Sequence, residues 1–193
     1  MWNELIKSFL ALFIIVDPFV SGAFFVSYCK DIVDEKEKNK ALWTAILVAA
    51  ALLFIFLFSG LFLLNILGIT FSGFKIAGGI LLLILGVTTV LGIDFGSKKD
   101  NMKSAAILIG TPLLSGPGAL TTIIILSNDY GYFIPGVAAL LVIIVSFFIL
   151  KYTDKAVKLI GTDILQVLSK VLGLLLAALA VDFIHQGIVG FLQ

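Results

Sequence analysis

The chain has 193 residues, of which 61% are hydrophobic and 13% are charged, and its mean hydropathy is +1.19. Soluble domains contain about 45–50% apolar and about 25% charged residues, so this composition predicts an integral membrane protein in contact with the lipid bilayer. The net charge of +1 offers no basic surface for phosphates, so no nucleic-acid partner is expected.

Six apolar runs are long enough to cross a bilayer. A hydrocarbon core of about 30 Å needs roughly 20 helical residues, and backbone groups in lipid must be paired, so each run is predicted to be a helix. The predicted spans are Leu5–Ser27, Ala41–Gly68, Phe74–Ile93, Ala105–Ser127, Phe133–Leu150 and Val167–Phe191. The first run lacks a signal-peptide cleavage pattern and is expected to remain as a helix. The fold class is therefore all-α, with one transmembrane domain over residues 1–193.

The distribution of lysine predicts the orientation, because the chain has no arginine. Lysines cluster after the first, third and fifth spans, at Lys30, Lys36, Lys38, Lys40, Lys98, Lys99, Lys103, Lys151, Lys155 and Lys158. The other side has only Lys7 and Lys75, so the lysine-rich loops are expected to be cytoplasmic and both termini outside. Three spans in each half then make residues 1–97 and 98–193 two inverted three-helix repeats.

Two pairs of matching motifs support these repeats. The six residues of Asp17–Gly22, D-P-F-V-S-G, match T-P-L-L-S-G at Thr111–Gly116 in the second half. K-x-x-G opens the third span at Lys75–Gly78 and the sixth at Lys170–Gly173. Both pairs occur in the same order and at nearly the same offset.

The doubled motif predicts that the first and fourth helices are broken. A residue before proline avoids helical conformation, and proline is favoured at the first helical position. Asp17-Pro18 and Thr111-Pro112 are therefore predicted to be the N-cap and first residue of new half-helices. In the fourth helix Ser115-Gly116-Pro117-Gly118 is an alternative start, and the sequence does not choose between the two. Broken helices in corresponding positions of two halves indicate a transport site.

Half-helix ends near the bilayer midplane are suited to a small ligand that has one negative and one positive group. Their N-termini stabilise a carboxylate, and the carbonyls freed before them suit an ammonium group, Na⁺ or water. Asp17 is unusual because a charge at this depth costs at least about 2.5–3.5 kcal/mol. It is predicted to bind the substrate ammonium, Na⁺ or the coupling proton, the alternative being that it only caps its half-helix.

The other predicted substrate-binding residues belong to the same two motifs and the turn that follows. They are Pro18, Ser21, Gly22, Thr111, Pro112, Ser115, Gly116, Gly118 and Thr121. The alternative for the hydroxyl groups is a bond to their own helix, and for the glycines it is close helix packing. Packing is the expected role of Gly78, Gly79 and Gly86.

Polar residues outside the motifs suggest no enzyme. The chain contains no nucleophile-and-base motif or metal-ligand cluster, so no catalytic residue, metal or cofactor is expected beyond a coupling H⁺ or Na⁺. Cys29 has no partner for an internal disulfide. Asp182 and His185 lie one turn apart, so their side chains can meet. The two interpretations of this pair are a proton relay and a solvated pair near the end of the helix. Lys75 and Lys170 are expected to extend to opposite membrane interfaces.

At four motifs the chain resembles the MarC family, which includes the small neutral amino acid transporter SnatA. The motifs are I-V-D-P at Ile15–Pro18, F-K-I-A-G-G at Phe74–Gly79, P-L-L-S-G-P-G-A at Pro112–Ala119 and K-V-L-G-L-L-L-A-A-L-A-V at Lys170–Val181. The resemblance implies a six-helix, multi-pass protein of the prokaryotic cell (inner) membrane. It also implies uptake of glycine, alanine and similar amino acids, driven by a proton or sodium gradient.

One departure from the family pattern falls inside the presumed site. After Asp17-Pro18 many relatives continue with Gly-Asn and a further proline, whereas this chain has Phe19-Val20-Ser21-Gly22. The leading hypothesis is a symporter of small neutral amino acids that binds a zwitterion at the midplane. The alternatives are an exporter of another small metabolite, since the family is also grouped with such exporters, and a passive channel. Six short helices also leave surface for a homo-oligomer.

Overall fold

A computed structural model describes residues 2–29, 34–92, 114–160 and 162–192, and all regular structure within these ranges is helical. The helices are α1 (Trp2–Val16), α2 (Pro18–Cys29), α3 (Glu35–Ile66), α4 (Phe71–Leu91), α5 (Pro117–Tyr130), α6 (Phe133–Ile160) and α7 (Thr162–Leu192).

Four segments in the described part of the chain are long and apolar enough to cross a membrane. They are Glu35–Ile66, Phe71–Leu91, Phe133–Asp154 and Gln166–Leu192. The prediction of a helical membrane protein is confirmed. The six-helix arrangement in two inverted repeats stays a prediction, because the first span is divided between α1 and α2, and the fourth is described only from Leu114 onward.

Local signals explain where two of the long helices begin. Asp34 is the N-cap of α3 and accepts a hydrogen bond from the N–H of Lys36 at 2.9 Å. Thr70 is the N-cap of α4, and its hydroxyl oxygen accepts from the N–H of Gly73 at 3.2 Å. Both residues satisfy N–H groups that have no partner within the first helical turn.

The helices α4 and α7 pack antiparallel against each other through small residues. The facing pairs are seven residues apart on each helix and are Ser72 with Gly187, Gly79 with Ala180, and Gly86 with Gly173. A Cβ added at Gly86 would lie 2.8 Å from the Gly173 carbonyl oxygen, and one added at Gly173 would lie 3.0 Å from the Gly86 carbonyl oxygen. Small residues allow this backbone approach. The prediction that Gly79 and Gly86 serve packing is confirmed.

Two buried apolar clusters place the remaining helices around this pair. The larger cluster joins α1, α2, α3, α5 and α6. The smaller one joins α4, α5 and α7 and consists of Leu82, Ile125, Leu176, Ala180 and Phe183. Because α5 contributes to both clusters, it lies between the pair of α4 and α7 and the rest of the molecule.

The Lys75 side chain is packed between helices and its charge is paired. It is 9% exposed, and its Nζ lies 3.1 and 3.2 Å from the two carboxylate oxygens of Asp129 and 2.8 Å from Oε1 of Gln186. The amide nitrogen of Gln186 in turn donates to Asp182 at 2.7 Å. The charge of Lys75 therefore has partners on α5 and α7, and its extension to a membrane interface stays a prediction.

Candidate functional site

The first helix is broken at Asp17, as the sequence predicts. Asp17 is the one non-glycine residue with positive φ in the described ranges, at +36°, a conformation that Asp tolerates better than most residues. Pro18 then begins α2. The Asp17 carboxylate accepts from the N–H of Val20 at 3.3 Å and also from the N–H of Phe19. Asp17 is therefore the N-cap of α2.

The break frees carbonyl groups at the end of α1. Pro18 has no N–H to donate to the carbonyl of Ile14. The N–H groups of Phe19 and Val20, which would serve Ile15 and Val16 in a continuous helix, are directed to Asp17 instead.

The freed carbonyls differ in whether another group of the protein donates a hydrogen bond to them. The Ser21 hydroxyl donates to Val16 at 3.3 Å and replaces one lost bond. The carbonyls of Ile14 and Ile15 lack their helical donors and are available to a cation.

The described helix in the second half, α5, begins at Pro117, the second of the two starts that the sequence left open. Gly116 is the N-cap of α5, and no side chain caps this helix. The first helical residue, Pro117, has no N–H, while Leu120 donates to the Gly116 carbonyl at 3.1 Å. The N–H groups of Gly118 and Ala119 thus belong to the open first turn, where an anion is stabilised. Thr111 and Pro112 lie outside the described residues.

A cavity of about 120 Å³ lies between the two helix starts. Its lining comes from α1, α2, α4, α5, α7 and the residues that precede α2 and α5, and consists of Ile14, Ile15, Val16, Asp17, Val20, Ser21, Leu85, Thr89, Gly116, Gly118, Ala119, Gly173 and Leu176. The cavity therefore has a polar end at the breaks and an apolar wall formed by Leu85 and Leu176. Within the described ranges, no three His, Cys, Asp or Glu side chains are close enough to hold a metal ion.

Ser169 connects the break in the first half to α7. Its side chain is 5% exposed and makes a hydrogen bond with the Asp17 carboxylate. The carboxylate thus receives two backbone donors from its own half and one hydroxyl donor from the other half. This contact fixes the carboxylate relative to α7.

Four of the predicted substrate-binding residues line the cavity, namely Asp17, Ser21, Gly116 and Gly118. Four others in the described ranges do not, and these are Pro18, Gly22, Ser115 and Thr121. Pro18 is buried as the first residue of α2, Gly22 packs against Thr153 of α6, and Ser115 is buried beside the start of α5.

Thr121 is occupied within the protein. Its hydroxyl donates to the Pro117 carbonyl at 2.8 Å, and its methyl group contacts Gly78 of α4. This is the bond to its own helix that the sequence left as the alternative.

Sequence reasoning missed the lining residues outside the two motifs. Leu85, Thr89 and Leu176 lie in helices without a local signal of function, and Ser169 reaches Asp17 across 152 positions of sequence. For Ile14 a signal existed, because the residue four positions before a proline loses its helical donor.

Comparison with known proteins identifies the family. The model of the MarC family of integral membrane proteins matches residues 2–192. A UPF0056 membrane protein of Aquifex aeolicus is 30% identical, with 97% of this chain and 94% of the relative aligned. One from Archaeoglobus fulgidus is 30% identical over 94% and 90% of the two chains. The UPF0056 membrane protein YhcE of Escherichia coli is 30% identical over 95% and 91%.

No solved structure matches the chain. The agreement extends over nearly the whole length of the chain and of its bacterial and archaeal relatives. The chain therefore belongs to the MarC family and is a multi-pass integral membrane protein.

Proposed function

We propose that the protein is a secondary transporter of small neutral amino acids, coupled to a proton or sodium gradient, that binds its substrate in the cavity between α2 and α5. The observation that carries the proposal is the pairing of a carboxylate with an open helix N-terminus across one small cavity. The groups around it bind and orient a ligand, so the substrate crosses without chemical change.

The two ends of the cavity are suited to opposite charges. The N-terminus of α2 is already satisfied by Asp17, whereas the N-terminus of α5 has a glycine N-cap and no side-chain acceptor. A substrate carboxylate is therefore favoured at the N–H groups of Gly118 and Ala119. The ammonium group is favoured at Asp17 and the freed carbonyl of Ile14.

The size of the cavity restricts the substrate to few atoms. Its volume is about 120 Å³, somewhat below the roughly 150 Å³ of an engineered protein cavity that binds benzene. Alanine has as many non-hydrogen atoms as benzene, and glycine has fewer. The apolar wall formed by Leu85 and Leu176 suits a methyl group, and larger side chains would require the wall to move.

The packing of α4 against α7 supports transport by alternating access. These two helices correspond to the third and sixth predicted spans, which have the same place in the order of each half, and they pack antiparallel at small residues. Inverted three-helix repeats would place such helices against each other across a pseudo-two-fold axis. In this proposal both termini are outside, and the two halves move relative to each other around the cavity.

The test is uptake of labelled glycine and alanine by proteoliposomes under imposed H⁺ or Na⁺ gradients. Gradient-dependent uptake of at least one of them is expected. Absence of such uptake for every small neutral amino acid would refute the proposal. Reversing the gradient distinguishes import from export by the same site.

Asp17→Asn separates the two roles of Asp17. Asparagine caps helices about as well as aspartate, so the variant is expected to fold while losing its negative charge. Gradient-driven uptake should be abolished at unchanged protein yield and melting temperature. Normal uptake would instead limit Asp17 to capping α2.

A further inference from the structure

The polar cluster around Lys75 joins three helices far from the cavity. Lys75 lies in the second turn of α4, Asp129 in the last turn of α5 and Gln186 in the last two turns of α7. Nζ of Lys75 also lies 5.0 Å from the centre of the Phe71 ring. Only 11% of the Lys75 side chain and 29% of the Asp129 side chain are exposed. Lys75 is therefore largely buried, whereas Asp129 lies at the exposed edge of the cluster.

This cluster lies on the side of the protein where the chain begins. The helix α6 starts at Phe133, directly after the end of α5, and its later residue Thr153 packs against Gly22 of α2. Because α1 also packs against α6 while Gly22 of α2 already lies at its later part, the segment formed by α1 and α2 runs in the same direction as α6. Its first residue, Trp2, lies on the same side as Asp129.

The distance between the cluster and the cavity is the same along all three helices. The separations are 10, 11 and 10 residues, for Lys75 and Leu85 on α4, Gly118 and Asp129 on α5, and Leu176 and Gln186 on α7. At about 1.5 Å per helical residue, each separation is roughly 15 Å. The cluster forms one layer above the cavity.

An apolar layer lies between the two. Leu82 and Ala180 are fully buried, Ile125 is 1% exposed and Phe183 is 6% exposed, and together they belong to the smaller core cluster. A path from the cavity toward the N-terminal side along α4, α5 and α7 passes first this apolar layer and then the ion pair.

We propose that Lys75, Asp129 and Gln186 are further functional residues of the transport cycle, forming the gate that closes the cavity toward the N-terminal side. The proposal rests on the transport function above. An ion pair suits this role because both of its charges are stabilised again by water once the helices separate, so the closed and open arrangements differ little in free energy.

The helix α5 connects the gate to the substrate. Its first turn, at Gly118, offers the N–H groups proposed to bind the substrate carboxylate, and its last turn holds Asp129. A packed helix of 14 residues moves as a rigid unit. A shift of its N-terminus on substrate binding is therefore transmitted to the contact between Asp129 and Lys75.

Accessibility of a cysteine in the cavity tests the gate without any substrate. Cys29 is the one cysteine of the chain, so Cys29→Ser gives a background free of thiols. Thr89→Cys then places a thiol in the cavity lining, and Asn3→Cys, in a separate protein, reports which side of the membrane carries the N-terminus. A small, charged methanethiosulfonate reagent that does not cross the bilayer is added on that side.

The reporter at Thr89→Cys is expected to react slowly in the otherwise unchanged protein. Lys75→Met or Asp129→Asn should each raise the reaction rate about tenfold or more, which corresponds to about 1.4 kcal/mol in the closed-to-open equilibrium. The exchanged pair, Lys75→Asp with Asp129→Lys, should return the rate to that of the parent. Lys170→Met, the same change at an exposed lysine of α7, should leave it unchanged.

Three results would overturn the gate. The first is that the thiol reacts equally fast in the parent and in folded Lys75→Met and Asp129→Asn. The second is that Lys170→Met raises the reaction rate as much as Lys75→Met does. The third is that the exchanged pair does not return the rate to that of the parent. Size-exclusion chromatography checks that each variant is folded. If Lys75→Met does not fold, the reaction rate in Asp129→Asn, which preserves the side-chain volume, tests the gate.

The labelling result and the transport result are independent of each other. Failure of amino-acid uptake with the expected labelling would refute the proposed function and leave the gate. Amino-acid uptake together with unchanged labelling rates in the variants would refute the gate and leave the proposed function.

Discussion

Replacing Gly86 by alanine is expected to destabilise the protein even though alanine is the better helix former. The added Cβ would lie 2.8 Å from both the Ala177 nitrogen and the Gly173 carbonyl oxygen, and 3.1 Å from the Ala177 Cα. All three atoms belong to the backbone of α7, so no side-chain rotation relieves the contact. The helices α4 and α7 must separate instead.

The geometry gives the size of the effect. Ordinary contacts begin near 3.4 Å, so the 2.8 Å contacts require the helices to move apart by 0.6 Å, the difference between these two distances. Overpacking of this kind costs about 1–3 kcal/mol. The higher helix propensity of alanine returns about 1 kcal/mol. The net expectation is a loss of about 0–2 kcal/mol in the free energy of unfolding.

Gly136→Ala in α6 is the matched control. Its added Cβ would meet only the Cδ2 atom of Leu57, at 3.3 Å, which is the movable end of a side chain. This variant is expected to gain up to about 1 kcal/mol, so the two variants should differ by about 1–3 kcal/mol. Reversible unfolding in detergent micelles measures the difference. Equal stability of the two variants, or a more stable Gly86→Ala, would refute the close packing of α4 on α7.

Two further substitutions probe the cavity. Ser169→Ala removes a hydroxyl donor to the Asp17 carboxylate. Hydrogen bonds to charged groups contribute about 1.5–3 kcal/mol. Because this bond positions the carboxylate that is proposed to bind the substrate, its loss should raise the KM for uptake about tenfold or more. Ser146→Ala, which deletes a buried hydroxyl without a partner in the described ranges, should leave the KM unchanged, and equal effects would refute a specific role of Ser169. Leu176→Ala shortens the apolar wall, so the enlarged cavity should admit valine in competition assays. The substitution should cost about 2–5 kcal/mol in stability. Unchanged exclusion of valine would show that this wall does not limit the size of the substrate.

The break at Asp17 was predictable because its causes are local. The clash of proline with the preceding residue, the missing N–H of Pro18 and the capping ability of aspartate are all properties of adjacent residues. The same rules apply at both Pro112 and Pro117 in the second half. They identified the positions where a helix can start, and the structure showed that α5 starts at Pro117.

The environment of Lys75 was not predictable from its neighbours. Its partners Asp129 and Gln186 are 54 and 111 positions away. A lysine at the end of an apolar run extends to the interface unless the fold brings acceptors to it, and only the packing of α5 and α7 against α4 supplies them. Ser169 escaped notice for the same reason, since its contact with Asp17 depends on where α7 lies beside the break.

The two described helix starts are capped differently. The motif match pairs Asp17 with Thr111, whereas the N-caps of α2 and α5 are Asp17 and Gly116. One helix start therefore has its own anionic cap and the other has only a backbone cap. If both starts had an aspartate, the cavity would repel a carboxylate; if neither had one, an ammonium group would lose its counter-charge. The asymmetry suits a zwitterion bound in one direction, with its carboxylate toward α5, the helix whose other end holds the ion pair with Lys75.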